Sequence, residues 1–449
     1  MHASLRSSVR SSLHLIASLT FRRILCFTLA ASWLLASSHG QGSAPVNSAV
    51  IAPVITVDHG PNAPQQMAKP YVILVSLDGF RYDYARRYSA THLQAIAARG
   101  ATAPDGMVPV YPSLTFPNHY SLATGLYPEH HGIVANTFYD PARKQTYSLG
   151  DSTTVTDGTW YGGTPLWVLA EQHGMRSACF FWPGSEAAIQ GVRPTYYLKY
   201  DHAVPNAARV AQVIAWLRLP AGQRPHFITL YMSDVDQAGH VYGPDSRETE
   251  VAVHTVDQAV GSLDSALATL RLAVDLIVVS DHGMATVKGD WIDLDHDEPD
   301  IMSRLDKSVG PSLYAKTDSD AAHVAAALTA AHDDKYLVYR RAQVPAALHD
   351  DANARSGDPI VVPTGPYLIR ANDPPGIPRP REVGAHGFDP AQVPEMKSSF
   401  FAVGPQIRRG ATVASFEDVD VYPLVAKILG LDIGPIDGTL VPVQSILVR

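Results

Sequence analysis

Tyr71-Val-Ile-Leu-Val-Ser-Leu77, followed at once by Asp78-Gly79, is a continuous apolar run that stops at an acid and a glycine. A run without polar alternation predicts a strand buried on both faces, as in a parallel sheet covered by helices. Two more runs of this kind are His226-Phe-Ile-Thr-Leu-Tyr-Met232 and Asp275-Leu-Ile-Val-Val-Ser280, each with a metal-binding type of residue within a few positions of its end. Between them, Ser246 to Leu270 carries Val251, Val256, Val260, Leu263, Leu267 and Leu270 in a helical spacing. The alternation predicts an α/β fold whose mostly parallel central sheet is flanked by helices on both faces. Ligands gather beyond the carboxyl ends of such strands, where Asp78, Asp236 and Asp281 fall.

Further along, Ser398 to Val403 reads as another strand and Val419 to Leu429 as a helix ended by Gly430. The segment 290–385 is irregular, rich in Pro and Asp, with an Ala-rich helix near 320–332, and predicts a smaller lobe or insertion. Residues 41–70, rich in Pro, Ala, Gly and Ser, read as a flexible lead-in, so order is expected from Tyr71 and a single catalytic domain over 71–449. Residues 1–40 read as a secretory signal peptide: Arg6, Arg10, Arg22 and Arg23 precede an apolar run from Ile24 to Leu35, then small and polar residues. That run is short for a membrane span, so the expectation is a periplasmic or secreted protein without a stable membrane anchor, an uncleaved anchor being the alternative. Arg22-Arg23 hints at twin-arginine export. Cys26 lies in the leader and leaves Cys179 alone, which excludes an intramolecular disulfide in the mature chain; there is also no Asn-x-Ser/Thr sequon. Both features suit a bacterial periplasmic protein.

The 449 residues are 46% hydrophobic and 17% charged, which describes a globular chain with a sizeable core. A net charge of −8 argues against binding a nucleic-acid polymer. It leaves room for a small nucleotide or phosphodiester substrate whose phosphate is met by metal ions.

Four segments carry candidate chemistry. In Tyr111-Pro-Ser-Leu-Thr-Phe-Pro-Asn118, Thr115 stands where a helix begins, with Pro117 placed for its first turn. Free N–H groups and the helix dipole favour negative charge there, so Thr115 reads either as an N-cap or as a nucleophile activated by a base or metal. Asp236 and His240, four apart, share one side of a helical turn or tight loop, as a ligand pair or as polar loop residues. Asp281-His282-Gly283 directly follows a buried strand, and His386 sits in a glycine-flanked loop. Counting ligands places Asp78, Thr115, Asp281 and His282 on one metal and Asp236, His240 and His386 on a second. Carboxylate and imidazole without thiolate favour zinc over manganese or iron, and a metal pair forms a clamp for in-line phosphoryl displacement.

From about Val72 to Gly430 the chain resembles the nucleotide pyrophosphatase/phosphodiesterase family of the alkaline phosphatase superfamily, in a bacterial form. The resemblance rests on Leu77-Asp-Gly-Phe-Arg81, Pro112-Ser-Leu-Thr-Phe-Pro-Asn118, Leu126-Tyr-Pro-Glu-His-His-Gly-Ile133, Asn136 and Phe181-Trp-Pro-Gly-Ser-Glu186, then on Gly239-His240, Asp281-His-Gly-Met284 and Ala385-His-Gly387. It implies the same metal assignment, two Zn2+ ions, and a two-step reaction in which zinc-activated Thr115 forms a phospho-threonyl diester that water releases. It also implies that the Asn136 side chain and the Phe116 backbone N–H steady the non-bridging oxygens. An aromatic pair would grip the base: Phe116 and Tyr200, with Tyr196, Tyr197 and Tyr161 as competitors for the second place or as ordinary packing residues.

The expected function is hydrolysis of nucleotide phosphodiester or pyrophosphate bonds with release of a nucleoside monophosphate. One alternative keeps the site and acts on choline-headgroup phosphodiesters or phosphonates; another is a catalytically silent metal-binding protein. A sulfatase would carry Cys/Ser-x-Pro-x-Arg where Thr115-Phe-Pro-Asn118 stands, and a phosphomonoesterase would place an arginine near Thr115. The acidic stretch Asp293 to Asp300 lacks the glycine and glutamate of a calcium loop and reads as solvated loop. His130, His131, His254, His296, His332 and His349 read as structural or surface residues, and the oligomeric state stays open.

Overall fold

The computed structural model describes residues 53–294, 299–331, 334–371 and 382–448. The leader read at 1–40, the first part of the lead-in, His296, His332 and the middle of the acidic stretch 293–300 lie outside them. Among the described residues a nine-stranded sheet organises the chain. Its strands are β1 (Ile55–Thr56), β2 (Tyr71–Leu77), β3 (Ala101–Thr102), β4 (Ser177–Phe180), β5 (Tyr196–Tyr197), β6 (Phe227–Met232), β7 (Val274–Val279), β8 (Phe400–Val403) and β9 (Ala411–Thr412). They lie in the order β1-β5-β4-β6-β2-β7-β8-β3-β9. The central strands β5, β4, β6, β2 and β7 are mutually parallel, whereas β8 runs antiparallel to β7.

β2 is buried along its whole length because the pleat divides it between two cores. Val72 and Leu74 enter one core, and Ile73, Val75 and Leu77 enter the other. Helices cover both faces: α1 (Thr91–Arg99), α2 (Thr115–Thr124), α3 (Leu166–Gln172), α4 (Asn206–Leu217), α5 (Asp234–Tyr242), α6 (Arg247–Leu267) and, later in the chain, α8 (Val421–Leu429), whereas α7 (Asp318–Ala331) lies on a smaller sheet described below. Leu122 of α2, Trp167 of α3 and Leu424 of α8 pack in the first core; Leu93 of α1, Val213 of α4 and Val260 of α6 pack in the second. α6 starts at Ser246, whose side chain accepts from the Thr249 N–H. Its buried stripe is Val253, Val256, Val260 and Leu263, while Val251 is 54% exposed. Val251 is two positions from Val253 and therefore on another side of the helix.

The expectation that order begins at Tyr71 is corrected. β1 pairs antiparallel with β5, and the Val57 N–H donates to Thr195 O at 2.9 Å. Asn62 is buried, donates to Ala221 O and Arg224 O at 2.8 and 2.7 Å, and accepts from the Arg176 N–H at 2.7 Å. A two-residue edge strand and one buried amide leave no periodicity to read in a Pro- and Gly-rich stretch.

Between β7 and β8 the chain builds a smaller lobe. Leu305–Val309, Ser312–Ala315, Ile360–Pro363 and Tyr336–Tyr339 form, in that spatial order, an antiparallel sheet against which α7 packs. Leu313, Val324, Leu328 and Val361 close a core of its own. The chain returns through Gly384–Ala385, which pairs antiparallel with Ala285–Thr286 just beyond β7. Among the described residues no helix is long and apolar enough to cross a membrane.

Leu74 is fully buried at the middle of the central strand. Leu74→Ala is expected to cost about 2–5 kcal/mol by removing apolar contacts and leaving a cavity. Denaturant unfolding should show a lower midpoint at unchanged slope; an unaltered midpoint would contradict this packing.

Candidate active site

β2, β6 and β7 are parallel neighbours, so their carboxyl ends open on one edge. Asp78 follows β2 directly, Asp281 and His282 follow β7 after Ser280, and α5 begins two residues after β6 and carries Asp236 and His240. Gly79 has φ +68°, and a Cβ on it would lie 2.8 Å from Asp236 Cα, so the turn after β2 admits α5 only because this residue is glycine. The ribbon of Ala285–Thr286 with Gly384–Ala385 brings His386 back to the same edge.

Thr115 is the first residue of α2, and the N-cap position is taken by Leu114 in an extended conformation. The cap reading of Thr115 is thereby set aside. Its hydroxyl lies 3.3 Å from His282 Nε2. Each imidazole is held through Nδ1 on a backbone carbonyl: His240 on Gly384 at 3.0 Å, His282 on Gly283 at 2.9 Å, and His386 on Ser113 at 3.0 Å. That leaves Nε2 as the nitrogen facing the cluster in all three, the arrangement of an imidazole presented to a metal. His240 Nε2 and His386 Nε2 lie 3.1 Å apart, and they lie 3.4 and 3.5 Å from Asp236 Oδ1. His282 Nε2 lies 3.0 Å from Asp281 Oδ2 and 3.5 Å from Asp78 Oδ1.

Asp78 Oδ1, Asp236 Oδ1 and Asp281 Oδ2 are buried and accept no hydrogen bond. Such oxygens are costly unless a positive charge meets them. Asp236, His240 and His386 form one group whose ligand atoms lie within 4.8 Å of one another, and Asp78, Asp236 and His282 form another. The donors therefore fit a metal centre. The protons respond to the same demand. Burial, then the charges of Asp281 and Asp236, holds the Asp78 carboxyl well above the usual range. Burial acts to lower His240, but Asp236 alongside outweighs it and lifts this imidazole to about 9, so that a proton supplies part of the missing positive charge. Burial, then the His282 charge, pushes His386 down to about 3.

Asn136 stands at the mouth of the Thr137–Asp140 and Gln145–Ser148 hairpin, where its carbonyl accepts from the Leu149 N–H at 2.9 Å. Its Oδ1 accepts from the Phe116 N–H at 2.8 Å. In this arrangement the Phe116 N–H orients Asn136, whose Nδ2 is left to donate.

A cleft of about 550 Å³ opens from Asp78, Thr115, Asp236, His240 and His386. Phe116 and Tyr200 both line it, and Tyr200 is 49% exposed with its ring 5.1 Å from Phe181. The competitors are packing residues. Tyr196 stacks on Trp216 and donates to Gln223 O, Tyr197 lies in the first core, and the Tyr161 hydroxyl meets those of Tyr147 and the Val155 carbonyl.

Sequence reasoning missed two buried partners. His119, one helical turn after Thr115, places Nδ1 2.8 Å from Thr115 O and 3.2 Å from Asp281 Oδ2, with Nε2 2.8 Å from Ser76 Oγ. The i+4 spacing from Thr115 was the signal available. The Tyr231 hydroxyl donates to Asp78 Oδ2 at 2.5 Å, and nothing in the apolar run of β6 marked it. Among the other histidines, His131 is buried against Ser121 Oγ, His130 meets Asp437, His254 lies near Glu250, and His349 stacks on Tyr127.

Residues 72–389 match a family model described as type I phosphodiesterase/nucleotide pyrophosphatase. Over 394 residues the chain is 36% identical to ectonucleotide pyrophosphatase/phosphodiesterase family member 1 of Rattus norvegicus, an alignment covering 84% of this chain and 42% of that protein. The chain thus spans less than half the length of that relative. It is 34% identical over 406 residues to a bis(5'-adenosyl)-triphosphatase of Xenopus laevis, covering 88% of this chain and 85% of the relative. Murine ectonucleotide pyrophosphatase/phosphodiesterase 5, solved in an inactive variant in complex with AMP, superposes with a TM-score of 0.78 at 31% identity, covering 85% of this chain and all of that one.

His119 is fully buried and lies against both Asp281 and the Thr115 carbonyl, so its substitution removes support from the ligand cluster. His119→Ala is expected to weaken metal binding about 10–100-fold in a titration against a competing chelator. An unchanged affinity would show that Asp281 is positioned without it.

Proposed function

Because the chain belongs to the type I phosphodiesterase/nucleotide pyrophosphatase family, we propose that it hydrolyses phosphodiester or pyrophosphate bonds of nucleotides and releases a nucleoside monophosphate, with Thr115 as the nucleophile. What supports this most is the position of the Thr115 hydroxyl beside His282 in a cluster with three buried carboxylate oxygens that lack partners. Two zinc ions fit the donors, one on Asp78, Thr115, Asp281 and His282 and the other on Asp236, His240 and His386. The set offers oxygen and nitrogen without thiolate. Bound there, the ions would supply Lewis acidity that lowers the pKa of the Thr115 hydroxyl and neutralises charge on the phosphate.

The chain's own residues then divide the work. Thr115 Oγ attacks phosphorus, the bond to the leaving oxygen breaks, and the leaving group takes up a proton. A phospho-threonyl diester results, and attack of water on phosphorus breaks the bond to Thr115 and frees the nucleotide. Asn136, fixed through Oδ1 by the Phe116 N–H, donates from Nδ2 to a non-bridging oxygen. Phe116 and Tyr200, on the walls of one cleft, receive the base between them.

AMP in the murine structure and the activity named for the Xenopus relative support a nucleotide substrate. The choline-headgroup alternative needs an acidic cage for a quaternary ammonium. Away from the metal-type ligands the cleft carries Glu186, with Lys199 on the same lining to offset its charge. A silent metal-binding protein would have no need to keep Thr115 and Asn136 together at the ligand cluster. The leader read at residues 1–40 adds a periplasmic or secreted location to the proposal.

Hydrolysis of a bis-aryl phosphodiester by the zinc-loaded protein is expected to vanish on chelation and return with zinc. Thr115→Ala should lower the rate roughly 10³-fold or more. Retention of most of the rate would contradict Thr115 as nucleophile, and absence of activity in the loaded wild type would contradict the enzyme reading itself.

A further inference from the structure

Asn136 and His386 line the nucleotide cleft, and both also line a second cavity of about 360 Å³ that Thr115 does not reach. The second cavity leads away from the ligand cluster into the seam between the main domain and the smaller lobe. Its size falls within the range of about 300–1,000 Å³ usual for small-molecule sites. On the lobe side its lining includes Trp291, Tyr367 and Arg370. The Arg370 guanidinium lies 5.9 Å from the Trp291 ring centroid and is tied to Asp293 at 2.9 Å, which sets a cation near the ring. Arg370 remains 25% exposed.

A phosphodiester has two arms, and in-line displacement sets the leaving oxygen opposite the attacking one. The arm that stays on phosphorus belongs in the cleft that contains Thr115, Phe116 and Tyr200. The two linings share His386 and Asn136, so the second cavity adjoins the ligand cluster and offers room for the departing arm. Flat rings next to a guanidinium match a ligand that combines phosphate with a planar base.

We propose that the cavity at the lobe seam is a leaving-group site, in which Trp291 and Tyr367 stack the second base of a dinucleoside polyphosphate. The proposal rests on the diesterase reading of the adjoining cleft. It assigns the smaller lobe a part in substrate choice: substrates with a nucleotide on each side of the scissile bond gain contacts that those with one nucleotide lack.

The test is calorimetric binding to the zinc-loaded full chain of two non-hydrolysable probes, methylene-bridged diadenosine triphosphate and methylene-bridged ATP. The second probe keeps the phosphates and lacks the second nucleoside. The wild type should bind the dinucleotide about tenfold or more tightly than the ATP analogue, the scale expected of one stacked base. Trp291→Ala combined with Tyr367→Ala should bring the dinucleotide to the affinity of the ATP analogue and leave the latter unchanged. Tyr367→Phe, which keeps the ring, should retain the preference. Equal loss for both probes, an unchanged dinucleotide affinity in the double variant, or no binding of the dinucleotide to the wild type would each overturn the site. Failure of the wild type to hydrolyse any diester would overturn the diesterase reading alone, because the binding contrast decides the second site without turnover.

Discussion

Three carboxylates, each with a buried oxygen that accepts no hydrogen bond, meet at one edge of a sheet and require a positive charge, and the rest of the structure can be understood from that requirement. Asp78, Asp236 and Asp281 each keep an oxygen without a hydrogen bond, and three imidazoles turn Nε2 toward them. Without cations the cluster must hold protons it would not otherwise hold, which is why Asp78 is pushed up by burial and by its acidic neighbours and His240 is raised by Asp236. Cations remove the conflict and give the buried acids a favourable role.

The fold meets the requirement by geometry rather than by loops alone. Parallel β2, β6 and β7 deliver their carboxyl ends to one edge, and burial on both faces holds them there. Gly79 allows α5 to approach, the ribbon to Gly384–Ala385 returns His386, and α2 lays Thr115 beside His282. Ser76, His119 and Tyr231 brace the acids from inside the core. The lobe inserted between β7 and β8 leaves the sheet intact and forms one wall of a second cavity next to the ligand cluster.

Much of this was legible because the three buried strands announce themselves as unbroken apolar runs, and each ends near a residue able to bind metal. The main-sheet architecture followed from their alternation with α6. Local detail was less legible where no periodicity exists. β1 is two residues in a Pro- and Gly-rich stretch, and its pairing with β5 depends on a partner far along the chain. The role of Val251 was misjudged because two overlapping helical spacings fit the same segment, and only packing selects Val253. Phe116 could be placed at the start of a helix, but the bond that commits its N–H to Asn136 crosses 20 residues and leaves no mark in either segment. Among the four candidate tyrosines, exposure in the cleft distinguishes Tyr200.

The central claim is that Thr115 belongs to one of two neighbouring zinc sites. Anomalous scattering measured on crystals of the protein at the zinc absorption edge tests it most directly. The account predicts two peaks: one within coordination distance of Asp78, Thr115 Oγ, Asp281 and His282, the other among Asp236, His240 and His386. A single peak, or a pair of peaks with the Thr115 hydroxyl outside coordination distance of both, would contradict it.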